Sequence, residues 1–276
     1  GRTVAATRMT LSFKGSEQSV WVSEDGEILE ESGLMGLKLV KTGKAEALAP
    51  ITGTAGDFTE LAAIPVDVSF DNPEELKMLQ VKISGSELPE DISEGRQRLS
   101  GQVLTIEKET LAALDQENVF GRRHWRYLKA TPFIQSNDPE IILLANKIVK
   151  EHTTVLEKGQ ALVDWVYKEI EKRPVVSLPD ARSTLKNREG DCNEHAVLLA
   201  ALARAVDFPA RVETGLVYMN GRFFYHAWNR IFLGRWITAD ATFGQLPADV
   251  THIRLALGAE QQQLDLIPLI GRLKLE

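Results

Sequence analysis

The chain contains a single cysteine, Cys192, and its neighbours are of the kind that make a thiol reactive. It lies in Gly190-Asp191-Cys192-Asn193-Glu194-His195, directly ahead of an apolar run from Ala196 to Val206. Asp191 and Glu194 stand at capping-box spacing, with Asp in the Ser/Thr role, so Asp191 is expected as the N-cap and Cys192 as the first helical residue. There the unpaired N–H groups and the helix dipole favour negative charge, and the thiolate is the nucleophilic form of cysteine. The same Cys192 backbone N–H can hold an oxyanion. Gly190 lets another chain or a substrate approach closely. A lone cysteine is by itself more often a small buried hydrophobe. The capped position after a glycine is what favours chemistry. His195, on the same helix, either reaches the cysteine or covers the helix surface.

A thiol nucleophile needs a base, and the base needs an orienting group. Of the five histidines, His124 lies in a basic aromatic segment, His152 at a helix end and His252 in the C-terminal tail. Those three are expected to be structural or solvated. His226 sits in the strand-like Phe223-Phe224-Tyr225-His226-Ala227-Trp228-Asn229-Arg230-Ile231, and Asp240 in the following Trp236–Thr242 segment. Taken singly, they read as a core histidine and a turn acid. Register separates the readings. His226 faces Asp240 if 231 pairs with 235, leaving a three-residue loop that ends on Gly234, where a left-handed residue is wanted. A two-residue turn would put the pair on opposite faces. The preceding Asn220-Gly221 turn pairs 219 with 222 and sets Gly215 opposite His226, which leaves space for a group such as the thiolate or else marks a bulge. Trp228 and Trp236 are groove-wall candidates, although aromatics on adjacent strands are more often core.

The elements that must position these groups fall into two textures. Up to about residue 110 apolar residues alternate, as in Ile64, Val66, Val68 and Phe70, and in Leu79, Val81 and Ile83, which predicts half-buried strands. Asp25-Gly26 is a hairpin signal and Asp71-Asn72-Pro73 a turn. Beyond residue 130 the period becomes helical. One helix starts at Asp138-Pro139, a second runs through Leu162, Trp165, Val166 and Ile170 to before Pro174, and residues 175–189 read as an ordered loop. The third starts near Asp191 and is apolar on nearly every face, so it should be buried. Strands follow at 211–219, 222–232 and 235–242. The order is α+β, helices packed on an antiparallel sheet, preceded by a mostly β region. The expected domains are 1–130, a β-rich accessory region, and 131–276, carrying the chemistry.

The 276 residues carry 32 Lys+Arg and 39 Asp+Glu, a net charge of −7. An acidic chain without a basic block argues against nucleic-acid binding. One cysteine excludes an intrachain disulfide and a Cys-rich zinc site. No run approaches a membrane span. The first residues, Gly1-Arg2-Thr3, are neither an initiator Met nor a signal peptide and are expected to be a processed start.

Gly190-Asp191-Cys192-x-Glu194-His195-Ala196, then His226-Ala227-Trp228, then Trp236-x-x-x-Asp240-x-Thr242 resemble the core of the transglutaminase-like superfamily. The resemblance extends over roughly 135–276, including Asp138-Pro139 and Thr251-His252-Ile253. It implies a papain-like fold with Cys192 as nucleophile, His226 as base and Asp240 orienting the imidazole. Gly190, Asp191, Glu194, His195, Gly215 and Trp228 are the supporting candidates. The chemistry implied is acyl transfer on an amide through a thioester, as hydrolysis of a protein or peptide or as transfer to an amine. The alternative is an inactive member that binds protein. Cys, His and carboxylate are also zinc ligands, but thiolate activation accounts better for the capped helix start. No metal and no cofactor are expected. The β-rich half resembles accessory regions of bacterial, often extracytoplasmic, members, which implies a periplasmic or secreted location and a partner-binding or regulatory role for that half.

Overall fold

The structure is a computed structural model that describes residues 4–13, 16–32, 38–48, 62–89, 92–111, 122–175, 178–257, 266 and 269–276. It opens with an antiparallel meander of β1 (Ala6–Phe13), β2 (Ser16–Ser23), β3 (Ile28–Ser32) and β4 (Lys38–Val40), bonded in that order. The hairpin expected at Asp25-Gly26 joins β2 to β3, with Gly26 at φ +83°. Val20 is the buried apolar residue among the described positions of this sheet, whereas Met9, Leu11, Ile28 and Leu39 are each more than half exposed. A single helical turn, α1 (Lys44–Ala47), follows.

The alternation from Ile64 to Phe70 yields less than expected. Only Ile64–Pro65 (β5) forms a strand, and Val68 is exposed. Pro65 has no N–H to give a ladder, and β5 gains its partner from a distant strand at Arg222 and Phe223. A second sheet contains β6 (Met78–Ser84), β7 (Gln97–Ser100) and β8 (Val103–Glu107), and its far edge is the C-terminal β15 (Lys274–Leu275). In β6, Leu79, Val81 and Ile83 point inward with the predicted period of two.

The helices begin where their caps require. Asp138 accepts the Glu140 N–H ahead of α2 (Pro139–Val149), with Pro139 in the first turn where its missing N–H costs nothing. Thr154 and Glu157 form a reciprocal capping box at the start of α3 (Val155–Glu169). The segment read as a loop contains a helix, α4 (Ala181–Asn187), capped by Asp180. Two turns are too short to carry a sustained 3.6-residue stripe, although Ala181, Thr184 and Leu185 are buried. On either side of α4, β9 (Glu171–Lys172) and β10 (Glu189–Gly190) pair in parallel. Then comes α5 (Cys192–Ala205), buried from Glu194 to Arg204 as its all-round apolar surface requires.

The central sheet has the order β13-β12-β11-β14, with β11 (Ala210–Met219), β12 (Arg222–Phe232), β13 (Trp236–Ala239) and β14 (Ile253–Leu257). The Asn220-Gly221 turn pairs Met219 with Arg222, both turn residues having positive φ. Helices and sheet together make the expected α+β architecture. Asn229 of β12 ties the layers by donating to the Ala196 carbonyl of α5 at 2.9 Å.

One apolar core lies among the helices and includes Leu162, Leu198, Leu202 and Ile231. A second joins Leu79, Val81, Leu104 and Ile106 to Leu216, Phe223, Ile253 and Leu255. The division expected at residue 130 runs through this second core.

Candidate active site

The cysteine is presented by the start of α5. Asp191 caps the helix by accepting the Asn193 N–H at 2.8 Å, and the Glu194 carboxylate accepts the Asp191 N–H at 3.0 Å. This leaves Cys192 as the first helical residue, partly exposed. Among the described residues no backbone acceptor is bonded to its backbone N–H. Burial pushes the Glu194 carboxyl up to about 7, with neighbouring Asp191 adding to the effect. Gly190 is needed for a reason different from the expected one. A Cβ there would lie 2.3 Å from the Glu194 Cβ, so what approaches Gly190 is the capping glutamate.

The candidate base and acid come from β12 and from the residue just after β13. β12 and β13 pair through Phe232 and Trp236, so the loop is residues 233–235 and not 232–234, with Gly234 at φ +90°. The ladder is slid by two residues from the expected register. Side chains alternate with period two, so a slide of two preserves the face. Asp240 lies just beyond β13, in an isolated bridge with Gln245. Nε2 of His226 donates to Oδ2 of Asp240 at 2.6 Å. Nδ1 is left free of Asp240, and the Cys192 thiol acts on the same ring to favour its charged form. Oδ1 of Asp240 accepts backbone N–H groups of Thr242, at 2.6 Å, and Phe243, at 3.2 Å.

The electrostatics follow from this packing. Burial works against a charged His226, but the charges of Asp240 and Cys192 and their hydrogen bonds outweigh it and raise the imidazole to about 10. Burial likewise opposes a charged Asp240, yet His226 and then His252 hold the carboxyl well below the usual range. The packing therefore favours a charged imidazolium at His226 backed by an ionised Asp240.

The supporting candidates divide. Gly215 stands opposite His226 as expected, but a Cβ there would lie 2.0 Å from the Ile253 carbonyl oxygen, and β11 is bulged against β14 between Thr214 and Gly215. The glycine serves the bulge and makes no space for the thiolate. His195 is fully buried with Nδ1 on the Asp191 carbonyl at 2.7 Å, and burial lowers its affinity for a proton. Its Nδ1 is thereby committed to the helix start. Trp228 is core and not groove wall: it is 1% exposed, its ring lies 6.0 Å from that of His226, and its indole N–H donates to Glu213. Trp236 packs on His124, Tyr127 and Phe232. His124 is thus packed within an aromatic cluster with Phe232 and Trp236.

Two neighbours went unread in the sequence. Phe243 stacks on His226 with ring centroids 5.0 Å apart. His252, expected to be structural or solvated, is fully buried, and its Nε2 lies 2.9 Å from the same Asp240 Oδ2 that His226 uses. The only signal was Thr251-His252 in the tail of the resemblance. His226, Asp240 and His252 bring metal-ligating atom types within 4.8 Å. Their contacts of 2.6 and 2.9 Å are those of N–H···O bonds and shorter than the spacing of two ligands about one zinc.

Beside these side chains lies a cleft of about 440 Å³, lined by Tyr167, Lys172, Tyr218, Thr242, Phe243 and Gln245. Glu74, in the short turn Pro73–Glu75, closes one side by accepting from Gln245 at 3.2 Å. A larger open groove of about 620 Å³ runs along α2 and α3 past Ile148, Leu156 and Trp165; Cys192, His226 and Asp240 line neither space, and the smaller one adjoins them through Thr242 and Phe243.

Residues 143–241 match the pattern that defines the transglutaminase-like superfamily. The chain carries a transglutaminase-like domain. A provisionally named cysteine protease from Cytophaga hutchinsonii is similar at 20% identity over 71% of this chain and 80% of that one, with a TM-score of 0.47. The periplasmic domain of TgpA from Pseudomonas aeruginosa is similar at 16% identity over 87% of this chain and 82% of that one, with a TM-score of 0.40. No curated protein matches the chain. Among the described residues no helix is long and apolar enough to cross a membrane.

Proposed function

We propose that the transglutaminase-like domain catalyses acyl transfer from an amide through a Cys192 thioester, with hydrolysis of a protein or peptide as the main outcome. The observation that carries this reading is the line of three groups: Cys192 at the capped start of α5, near enough to His226 to favour its charged form, and His226 bonded to Asp240 at 2.6 Å.

Each step uses a group already described. The Cys192 thiolate attacks the amide carbon, and the oxygen takes up negative charge against the Cys192 N–H. The His226 imidazolium gives its proton to the leaving amine, and the thioester remains. Water then enters, His226 takes its proton, and the carboxylic acid leaves with the thiol restored. Asp240 holds the imidazole in one tautomer and stabilises its charged form. An amine in place of water would give transfer. The cleft is open at the surface, which favours water. The periplasmic or secreted location implied by the resemblance belongs to this proposal, and cell fractionation checks it.

The test is alkylation of the full chain by iodoacetamide across pH, combined with release of new α-amines from denatured casein. Labelling is expected to persist well below ~8.5, the ordinary value of a free thiol. Cys192→Ala should reduce casein cleavage to background, and Asp240→Asn should slow it by on the order of 10²- to 10⁴-fold. Labelling with a single inflection near ~8.5 and no cleavage would mark a binding module. Incorporation of a fluorescent alkylamine into casein in place of cleavage would make the reaction transfer.

A further inference from the structure

The catalytic carboxylate proposed above is shared. Its Oδ2 receives His226 Nε2 at 2.6 Å and His252 Nε2 at 2.9 Å, while Oδ1 is taken by two backbone N–H groups. His252 is itself fully buried and held from behind. Its Nδ1 lies 3.3 Å from Asp249 Oδ1, and Asp249 is fixed by the N–H and hydroxyl of Thr251 at 2.8 and 2.6 Å. The Trp228 and Phe243 rings pack against the His252 ring at 5.2 and 6.0 Å. Nothing in the reaction described so far needs a second histidine on this oxygen.

We propose that His252 is a positioning residue that tempers the catalytic pair: by donating to the Oδ2 of Asp240, it limits how strongly that carboxylate holds the His226 proton. A carboxylate oxygen with two N–H donors attracts each less than an oxygen with one. The imidazolium must surrender its proton to the leaving amine, and general acids work best when their affinity lies near the working pH. His226 is already held strongly, since Asp240 and Cys192 both favour its charged form. Without the competing donor it would be held more strongly still.

The titratable groups that bear on this arrangement are Cys192 and His195 from α5, His226 from β12, and Asp249 and His252 from the turn before β14. Lys172 of β9 acts on His195. Glu213 of β11 reaches the site through the Trp228 indole. Among these groups, His226 and His252 are the ones that hydrogen-bond Asp240 Oδ2.

The inference rests on the acyl-transfer reading through the Cys192–His226 pair, and one experiment separates the two. The rate of iodoacetamide alkylation of the full chain is measured against pH for wild type, His252→Asn and His252→Gln, with near-ultraviolet circular dichroism to verify folding. The profile reports the thiol–imidazole pair as a unit. The Asn amide stays near Asp249 but falls short of Asp240, whereas the longer Gln reaches it. His252→Asn is expected to strengthen the ion pair, move the inflection down by about one unit and raise labelling on its acid side about tenfold. His252→Gln should overlay wild type. A role in mere packing predicts the opposite sign, because a misplaced ring weakens the pair and moves the inflection up. An upward shift, no shift, or equal behaviour of the two variants overturns the proposal. A wild-type inflection near ~8.5 instead sinks the acyl-transfer reading and this inference with it. If His252→Asn does not fold, NMR of the wild-type chain with ¹⁵N-labelled histidine decides. His252 Nε2 should carry a proton at neutral pH, and an unprotonated Nε2 overturns the proposal.

Discussion

Two β-sheets draw on the chain ahead of the helices, and they relate differently to the rest of the molecule. The β1–β4 meander leaves Met9, Leu11, Ile28, Leu39 and Val40 exposed, and among its described residues only Val20 and Ser23 are buried. The β6–β8 sheet contributes Leu79, Val81, Ile83, Leu104 and Ile106 to a core shared with β11 and β14. It also reaches the site. Arg96 donates to the carbonyls of Ala248, Asp249 and His252, the turn that carries His252, and Gln97 bonds both the N–H and the carbonyl of Arg254. Glu94 pairs with Arg211 of β11 at 2.7 Å. Position along the chain therefore does not separate accessory from essential. We propose that residues 62–111 are part of the catalytic fold and that only the meander region is separable.

Truncation tests this most severely. A chain of 131–276 should be insoluble or unfolded, having lost one side of the second core, whereas 62–276 should fold and keep Cys192 labelling within about twofold of the full chain, as expected when none of the described contacts to the site is removed. Circular dichroism and labelling on both truncated chains decide, and a soluble, reactive 131–276 would break the comparison.

Next in size is Arg96→Met, which keeps bulk but removes the donors to the turn. Burial of three carbonyls without a partner should cost about 2–4 kcal/mol in urea unfolding. Labelling on the acid side should rise with it, as for His252→Asn, since the turn positions His252.

pH sharpens the comparison from the side of the site. Raised in the fold to about 10, His226 contributes stability that is fully present below its unfolded value of ~6.5 and is lost as pH rises through about 10. Between those values the unfolded state binds fewer protons, so urea midpoints should decline with rising pH. His226→Gln should flatten the decline. Asp240, held below its ordinary range, acts in the other direction: its contribution is present above ~3.9 and is lost only as pH falls through its lower folded value.

The smallest effect belongs to the meander. Met9→Ser and Leu39→Ser should change stability by no more than about 0.5 kcal/mol, since both side chains are already more than half exposed. Loss of several kcal/mol on urea unfolding of either variant would show the meander to be as integrated as its neighbour.

Local rules made much of the molecule readable. Asp191 and Glu194 fixed the start of α5 because a capping box is a contact within four residues. Asn220-Gly221 fixed the β11–β12 register because two positive φ values suit that turn. Parity alone kept His226 and Asp240 on one face, although the ladder slid by two residues. α4 was missed because seven residues carry too little periodicity, and Ile64–Phe70 was over-read because alternation does not supply a strand with a partner.

From the sequence alone came the three side chains proposed to react, their order and the elements that bear them, since capping, turn type and alternation are properties of neighbours in the chain. The tertiary structure alone decided that Gly190 serves Glu194, that Gly215 serves a bulge, and that His252 and Arg96 belong to the site. Those facts depend on contacts between residues far apart in the chain, where burial, and not local spacing, determines which polar groups must meet.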